Sequence, residues 1–203
     1  MQEYVLQSQY VLKHLSGWGF PTDVQQRIGA LAVLWGVFET SLESALWALK
    51  SENVKGVRPS TDKTSIGEWI NDWPQAAAFL SAPSREVVSL ASETAKNLMD
   101  YRHAIMHGWM IPSPTMPCFI RNPSWNGEIR KRPSHDAHVD SNLLDLAIDC
   151  AWTLCQVVYE TRDATKDTGA TTRLEALRSS VVRARSLSGE LRHLTELMNH
   201  EKY

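Results

Sequence analysis

The chain has 203 residues, of which 43% are hydrophobic and 22% are charged, and its formal net charge is −2. This composition is sufficient for one folded domain with a sizeable core and argues against wholesale disorder. The charge excludes a generally basic nucleic-acid-binding coat, although it is compatible with a local basic groove.

The sequence also bears on the compartment. It has no apolar run of membrane-spanning length, and its first residues lack the basic-then-apolar order of a signal peptide. The three cysteines, Cys118, Cys150 and Cys155, form no CxxC pair. They fit a reducing compartment better than a disulfide framework or a zinc knuckle. We therefore expect a cytoplasmic protein with no membrane partner.

The first half of the chain is predicted to be helical. Residues 2–15 form a short helix, and a Pro-Thr-Asp start signal at residues 21–23 opens a long one. The apolar residues of the long helix recur at three- and four-residue spacing: Val24, Ile28, Leu31, Trp35, Phe38, Leu42, Leu46 and Leu49. Residues 51–63 are predicted to be a polar loop, followed by one or two short helices broken around Pro74.

A second long helix is predicted over residues 84–108. Ser84 is its candidate cap, and Gly108 is expected to end it in the left-handed conformation that glycine adopts cheaply. Proline-rich, alternating sequence then predicts a small β-hairpin insertion at about residues 112–133.

The last part of the chain is again helical in pattern. Asp140 or Ser141 caps a helix with an apolar middle, which indicates central burial. Residues 166–172 are interpreted as a hinge before a C-terminal amphipathic helix within residues 170–200. The sequence thus predicts an all-α bundle over residues 1–165 with the hairpin insertion, followed by that amphipathic helix.

The segment "DYRHAIMHGW", residues 100–109, gathers an Arg and two His at the end of a predicted helix. His103 and His107 are four residues apart and share a helix face, and the long Arg102 side chain can reach the same groove. A His can take a proton from a 2′-hydroxyl or give one to the leaving oxygen, and an Arg fork matches phosphate geometry. The pattern predicts RNA phosphodiester cleavage without a metal or another cofactor, because the nucleophile is already in the substrate.

The residues "YRHAIMHG" resemble the signature of HEPN domains (higher eukaryote and prokaryote nucleotide-binding). That signature is an Arg, a polar residue directly after it, and a His four to six intervening residues beyond the Arg, at the end of a helix in a small bundle. The likeness covers about ten positions, and the order of elements also suits the family over roughly residues 20–165.

The resemblance implies a metal-independent endoribonuclease that acts as a homodimer, with the two motifs facing each other in one composite site. His107 would be the general acid or base, Arg102 would stabilise the phosphoryl transition state, and His103 would shape the site through a hydrogen bond. The resemblance further implies a toxin–antitoxin or phage-defence context, with RNA as substrate and an antitoxin or defence-system protein as partner.

The bare Arg-to-His spacing occurs twice more, from Arg130 to His135 and from Arg132 to His138. Pro133 interrupts that segment, so no helix is expected to present those pairs. Only the match at Arg102 follows an apolar helical stripe and precedes a helix-ending glycine. The surrounding sequence therefore selects the motif at residues 102–107.

Two other interpretations stay open. Cationic side chains at a helix C-terminus stabilise it by about 0.3–1 kcal/mol, so the motif also suits a non-catalytic interaction or nucleotide-binding module. His103 and His107 also have the spacing by which two imidazoles share a zinc ion. Ala104 stands where a zincin carries its catalytic glutamate, which excludes a metalloprotease of that type. A metal-binding bundle could still recruit Glu39, Glu43 or a His of residues 134–140, and the His and Asp residues of that second cluster could also ligate a metal.

Two further sets of residues are candidates for the site. Glu39 lies beside the apolar stripe of the first long helix, and we expect it to anchor Arg102, because a carboxylate beside a core needs a partner. A basic and aromatic cluster is predicted around the hairpin. Its members could hold RNA phosphates and stack on a base: Arg121, Trp125, Arg130, Lys131 and Arg132. The alternatives are a solvated acidic side chain and a charged, solvent-facing hairpin.

Overall fold

A computed structural model describes residues 3–113, 117–121 and 136–200. Within these ranges the chain forms seven α-helices, one short 3-10 helix and a three-stranded antiparallel sheet. The mostly helical architecture confirms the all-α class. No described helix is both long and apolar enough to span a bilayer.

The two N-terminal helices are α1, Glu3–Gly17, and α2, Thr22–Leu49. The predicted stripe of α2 is confirmed, since all its members except the partly buried Ile28 are buried in the core. Helix α1 has no buried residue. Its apolar side chains therefore contribute little to the core, and α2 is the N-terminal element around which the bundle forms.

The polar loop after α2 contains a 3-10 helix, Ser60–Lys63, and leads into α3, Ile66–Ala76. The predicted break around Pro74 is wrong, because α3 continues through this proline. Pro74 has no N–H to donate to the carbonyl of Ile70. The Ser92 hydroxyl donates to that carbonyl instead, at 2.8 Å, so the acceptor is satisfied from the neighbouring helix.

Helix α4, Ala82–His107, carries the Arg–His motif in its last turns. Its N-cap is Ser81, whose hydroxyl accepts the backbone N–H of Ser84 at 3.2 Å, so the cap lies three residues before the predicted one. Pro83 lies in the first turn, where its missing N–H costs nothing. The three-four spacing of α4 predicts a core-facing stripe, and all its members are buried: Val87, Ala91, Thr94, Leu98, Tyr101 and Ile105.

Gly108 ends α4, but in an extended conformation with φ −81° and ψ 158°, so the predicted left-handed cap is wrong. The glycine is required for space instead. A Cβ at Gly108 would collide with the carbonyl oxygen of Ala104 and lie 2.9 Å from Cβ of Phe119. The carbonyl of Ala104 and the close approach of the sheet together therefore explain the glycine directly after the motif.

The sheet consists of β1, Trp109–Ile111, β2, Cys118–Ile120, and β3, Ala137–His138, in the order β1-β2-β3. The first two strands pair antiparallel, so a hairpin is present, but it begins at Trp109 rather than near residue 112. The predicted tip, with Trp125, lies outside the described residues. Because β1 follows α4 directly, the sheet lies beside the motif.

Three helices complete the bundle: α5, Ser141–Asp163; α6, Thr168–Ala176; and α7, Arg178–His200. Asp140 caps α5 as predicted, and α5 contacts α2, α4 and α7, which confirms its central position. The predicted hinge at residues 166–172 is wrong, because Asp167 caps α6 by accepting the Gly169 N–H at 2.8 Å. Helix α7 packs along α4 and α5.

Candidate functional site

The last turns of α4 bring together the two imidazoles of the motif. The ring centroids of His103 and His107 are 5.7 Å apart, with the rings inclined at 57°. His103 is half-buried and His107 is exposed. Neither imidazole makes a hydrogen bond to the part of the chain that the structure describes. Both rings are therefore available to a ligand at the end of the helix.

Arg102 is held by an aromatic ring. Its Cζ lies 5.8 Å from the ring centroid of Trp35, a fully buried side chain of α2. The Nε atom of Arg102 is buried and has no hydrogen-bond partner. A buried donor without a partner is costly, so this guanidinium has unsatisfied capacity for an anionic acceptor.

The predicted direct contact between Glu39 and Arg102 is wrong. The Glu39 carboxylate instead accepts the indole N–H of Trp35 at 2.7 Å. Trp35 therefore links the two residues, since its N–H donates to Glu39 and its ring makes a cation–π contact with Arg102. A carboxylate on the indole N–H polarises the ring and favours the cation beside it. Glu39 is thus connected to Arg102 only through Trp35.

Arg121 is the described member of the predicted basic cluster, and it follows β2. Its backbone N–H donates to Oδ1 of the buried Asp136 at 2.9 Å, which fixes the end of the strand. Its positive charge reaches His103, whose pKa it helps to lower. Three other cluster residues and the aromatic one lie outside the described residues: Arg130, Lys131, Arg132 and Trp125. Arg121 thus lies near enough to the motif to act on the charge of His103. The RNA-binding role of the other four residues stays a prediction.

Tyr101 fixes the motif turn against the sheet. Its side chain is buried, and its hydroxyl donates to the backbone carbonyl of His138 in β3 at 3.0 Å. Burial raises the pKa of Tyr101 above its ordinary range, and the charge of Asp140 adds to this effect. The hydroxyl is therefore protonated at neutral pH and can donate, so the end of α4 is tied to β3.

The site has a positive electrostatic environment. Burial, together with the smaller effects of the positive charges of Arg102, His107 and Arg121, lowers the pKa of His103 to about 4. His103 is therefore neutral at pH 7 and can donate one hydrogen bond and accept another. Within the described ranges, no carboxylate lies at ion-pair distance from Arg102, His103, His107 or Arg121. The cluster is consequently suited to an anion.

The low pKa of His103 has a measurable consequence. The ordinary pKa of His is 6.5, so between pH 6.5 and about 4 the unfolded chain binds a proton at this position that the folded chain does not. We expect His103 to lower the free energy of unfolding as the pH falls through that window and to have no such effect above it. NMR titration of the imidazole protons should give His103 a midpoint near 4, and His103→Asn should remove its part of the pH dependence. A midpoint at 6.5 would contradict the buried, cationic environment.

The described side chains offer few groups that could ligate a metal ion together. No group of three His, Cys, Asp or Glu side chains within residues 3–113, 117–121 and 136–200 could hold a metal ion. In the second predicted cluster, Asp136 accepts the Arg121 N–H and Asp140 caps α5. His135 lies outside the described residues. The described carboxylates of that cluster therefore hold the backbone of the sheet and of α5.

Trp35 is the site residue that sequence reasoning missed, because it was assigned only to the core stripe of α2. It precedes Glu39 by four residues, a spacing that places both side chains on one helix face. An indole N–H and a carboxylate at that spacing would have indicated the bond that forms. Compared with protein-family models, with curated proteins and with solved structures, the chain shows no match.

Proposed function

We propose that this protein is a metal-independent endoribonuclease of the HEPN type. The observation that carries the proposal is the grouping of Arg102, His103 and His107 at the exposed end of α4, where no described carboxylate neutralises them. A cationic site with two imidazoles has the groups that phosphodiester cleavage by an internal 2′-hydroxyl requires. Its place at the end of a long helix in a helical bundle supports the family likeness.

Arg102 would bind the scissile phosphate. Trp35 holds the guanidinium from one side, and the buried Nε lacks an acceptor. A phosphate oxygen would provide that acceptor, and the fork geometry of guanidinium suits two oxygens at once. Because charge accumulates on these oxygens as the nucleophile attacks, the contact strengthens toward the transition state.

The two imidazoles would have different tasks. His107 is exposed and can exchange protons with a bound substrate and with water, so it would act as general acid or base. His103 stays neutral at pH 7 because its pKa is about 4. It would therefore carry no positive charge and would contribute a hydrogen bond, either to the substrate or to the imidazole of His107.

One copy of the motif provides a single proton-exchanging imidazole, whereas cleavage needs a base for the 2′-hydroxyl and an acid for the leaving oxygen. A homodimer with facing motifs would provide both, as the family resemblance implies. The exposed position of His107 leaves its imidazole accessible to a second copy. A defence role with an antitoxin-like partner belongs to the same proposal.

The test is incubation of the purified protein with mixed RNA in excess EDTA, with its mass measured by light scattering in the same buffer. We expect cleavage to persist in EDTA and the protein to have twice the mass of the 22.9 kDa chain. Folded, dimeric protein that cleaves no RNA with or without added divalent metal would contradict the proposal. That result would favour the non-catalytic interaction or nucleotide-binding module.

A further inference from the structure

A second polar feature lies on the same helix as the motif, in a groove between α4 and α7. The groove has a volume of about 540 Å³. Its lining comes from one face of each helix: Glu93, Lys96 and Asn97 of α4, and Val182, Arg185, Ser186, Gly189 and Arg192 of α7.

The groove is cationic. It holds three basic side chains and one carboxylate, and Lys96 has no ion-pair partner among the described residues. Arg185 pairs with Glu93 at 2.5 Å, and Arg192 pairs with Glu196 at 2.8 Å, in both cases with about half of each side chain exposed. Exposed pairs of this kind contribute little to stability, so a phosphate can replace a carboxylate partner at small cost.

Gly189 keeps the floor of the groove open. It lies in the interior of α7, where glycine is unfavourable relative to alanine by roughly 0.5–1 kcal/mol. Packing does not require it, because a Cβ at this position would meet no atom within 4 Å. Because Gly189 lines the groove, a larger side chain at this position would occupy part of it.

The groove is aligned with the motif. At 3.6 residues per turn, both His103 and His107 lie within about 20° of Lys96 around the axis of α4. The rise along the helix from Lys96 to His107 is about 16 Å. Helix α7 runs beside α4 in the same direction, since Arg178 pairs with Glu86 and Arg185 with Glu93. Lys96 of the groove and the two imidazoles therefore lie along one face of α4.

We propose that this groove binds the backbone phosphates of the RNA strand that flanks the scissile bond. The inference rests on the proposed ribonuclease function, since that function places the substrate at His103 and His107. Lys96, Arg185 and Arg192 would contact phosphates, and the open floor at Gly189 would admit the strand. Recognition would be of the backbone, so the groove would extend the footprint without selecting a sequence.

The test measures binding alone, by fluorescence anisotropy of labelled 2′-O-methyl RNA, which cannot be cleaved. Two strands are used, one of about twelve nucleotides and one of about three. The variants are Lys96→Ala and Gly189→Leu, and the control is Lys55→Ala, which removes an exposed lysine of the distant loop. Circular dichroism checks the fold, and Gly189→Leu should not unfold α7, because leucine favours helix.

We expect Gly189→Leu to weaken binding of the longer strand about tenfold, which is about 1.4 kcal/mol, because the leucine side chain would occupy space that the strand needs. Lys96→Ala should lower the slope of log affinity against log salt by about 0.7, the value for one phosphate contact on a single strand. Lys55→Ala should bind as the unmodified protein does. Equal binding of the longer strand by all four proteins would overturn the groove proposal, even if the protein cleaves RNA. Lost binding in both groove variants would support the groove, even if cleavage is never observed.

Discussion

Replacement of Arg102 by alanine is expected to lower the rate of RNA cleavage at least about a hundredfold, the loss typical of removing one donor to a developing oxyanion. The structure gives the reason: Trp35 holds this guanidinium in place while its buried Nε lacks an acceptor. Arg102→Lys keeps the charge but loses the fork, so we expect an intermediate loss. Single-turnover cleavage of a labelled RNA in EDTA measures both.

The matched control for Arg102 is Arg162→Ala. The Cζ of Arg162 lies 5.5 Å from the ring centroid of Tyr159, so this variant also removes an arginine stacked on an aromatic ring. It lies on α5, away from the motif, and cleavage by Arg162→Ala should equal that of the unmodified protein. Equal rates for Arg102→Ala and Arg162→Ala would show that Arg102 is structural.

The second large effect is expected at His107. Its replacement by alanine removes the exposed imidazole that would exchange the proton, and general acid–base catalysis typically contributes about 10²–10⁴-fold. The free energy of unfolding should change by no more than about 1 kcal/mol, because the side chain is exposed at a helix end. Cleavage kinetics and urea unfolding of the same preparation separate the two effects.

His14→Ala is the control for His107→Ala. His14 also lies in the last turn of its helix, α1, so it shares the favourable interaction with the helix dipole. We expect His14→Ala to cleave RNA normally. If His107→Ala and His14→Ala differ neither in cleavage nor in stability, the cationic residues at the end of α4 stabilise the helix and take no part in cleavage.

Much of the fold could be predicted from the sequence, because local patterns determine it. The three-four apolar spacing of α2, the stripe of α4 and the Asp140 cap of α5 depend on residues within a few turns of one another. The break at Pro74 was predicted wrongly because the compensating hydroxyl of Ser92 comes from another helix. The donor that replaces a lost backbone N–H cannot be found from local sequence when it lies on another helix.

The site was predicted less completely, because its details depend on contacts between elements. The motif residues could be identified from spacing and residue type. The partner of Glu39 could not, since Trp35 lies nearer to the carboxylate than Arg102 does and takes the bond. Gly108 was predicted correctly as a helix end, but part of the reason for a glycine there is the close approach of Phe119 of β2, which no local pattern indicates.

The chemical nature of the cleaved ends tests the central claim most directly. If the 2′-hydroxyl of the substrate is the nucleophile at the Arg102–His107 site, mass spectrometry of the products should show 2′,3′-cyclic phosphate and 5′-hydroxyl ends, and a single 2′-deoxy substitution should block cleavage at that nucleotide. Products with 3′-hydroxyl and 5′-phosphate ends, or cleavage that survives the 2′-deoxy substitution, would show that water is the nucleophile and would contradict the account.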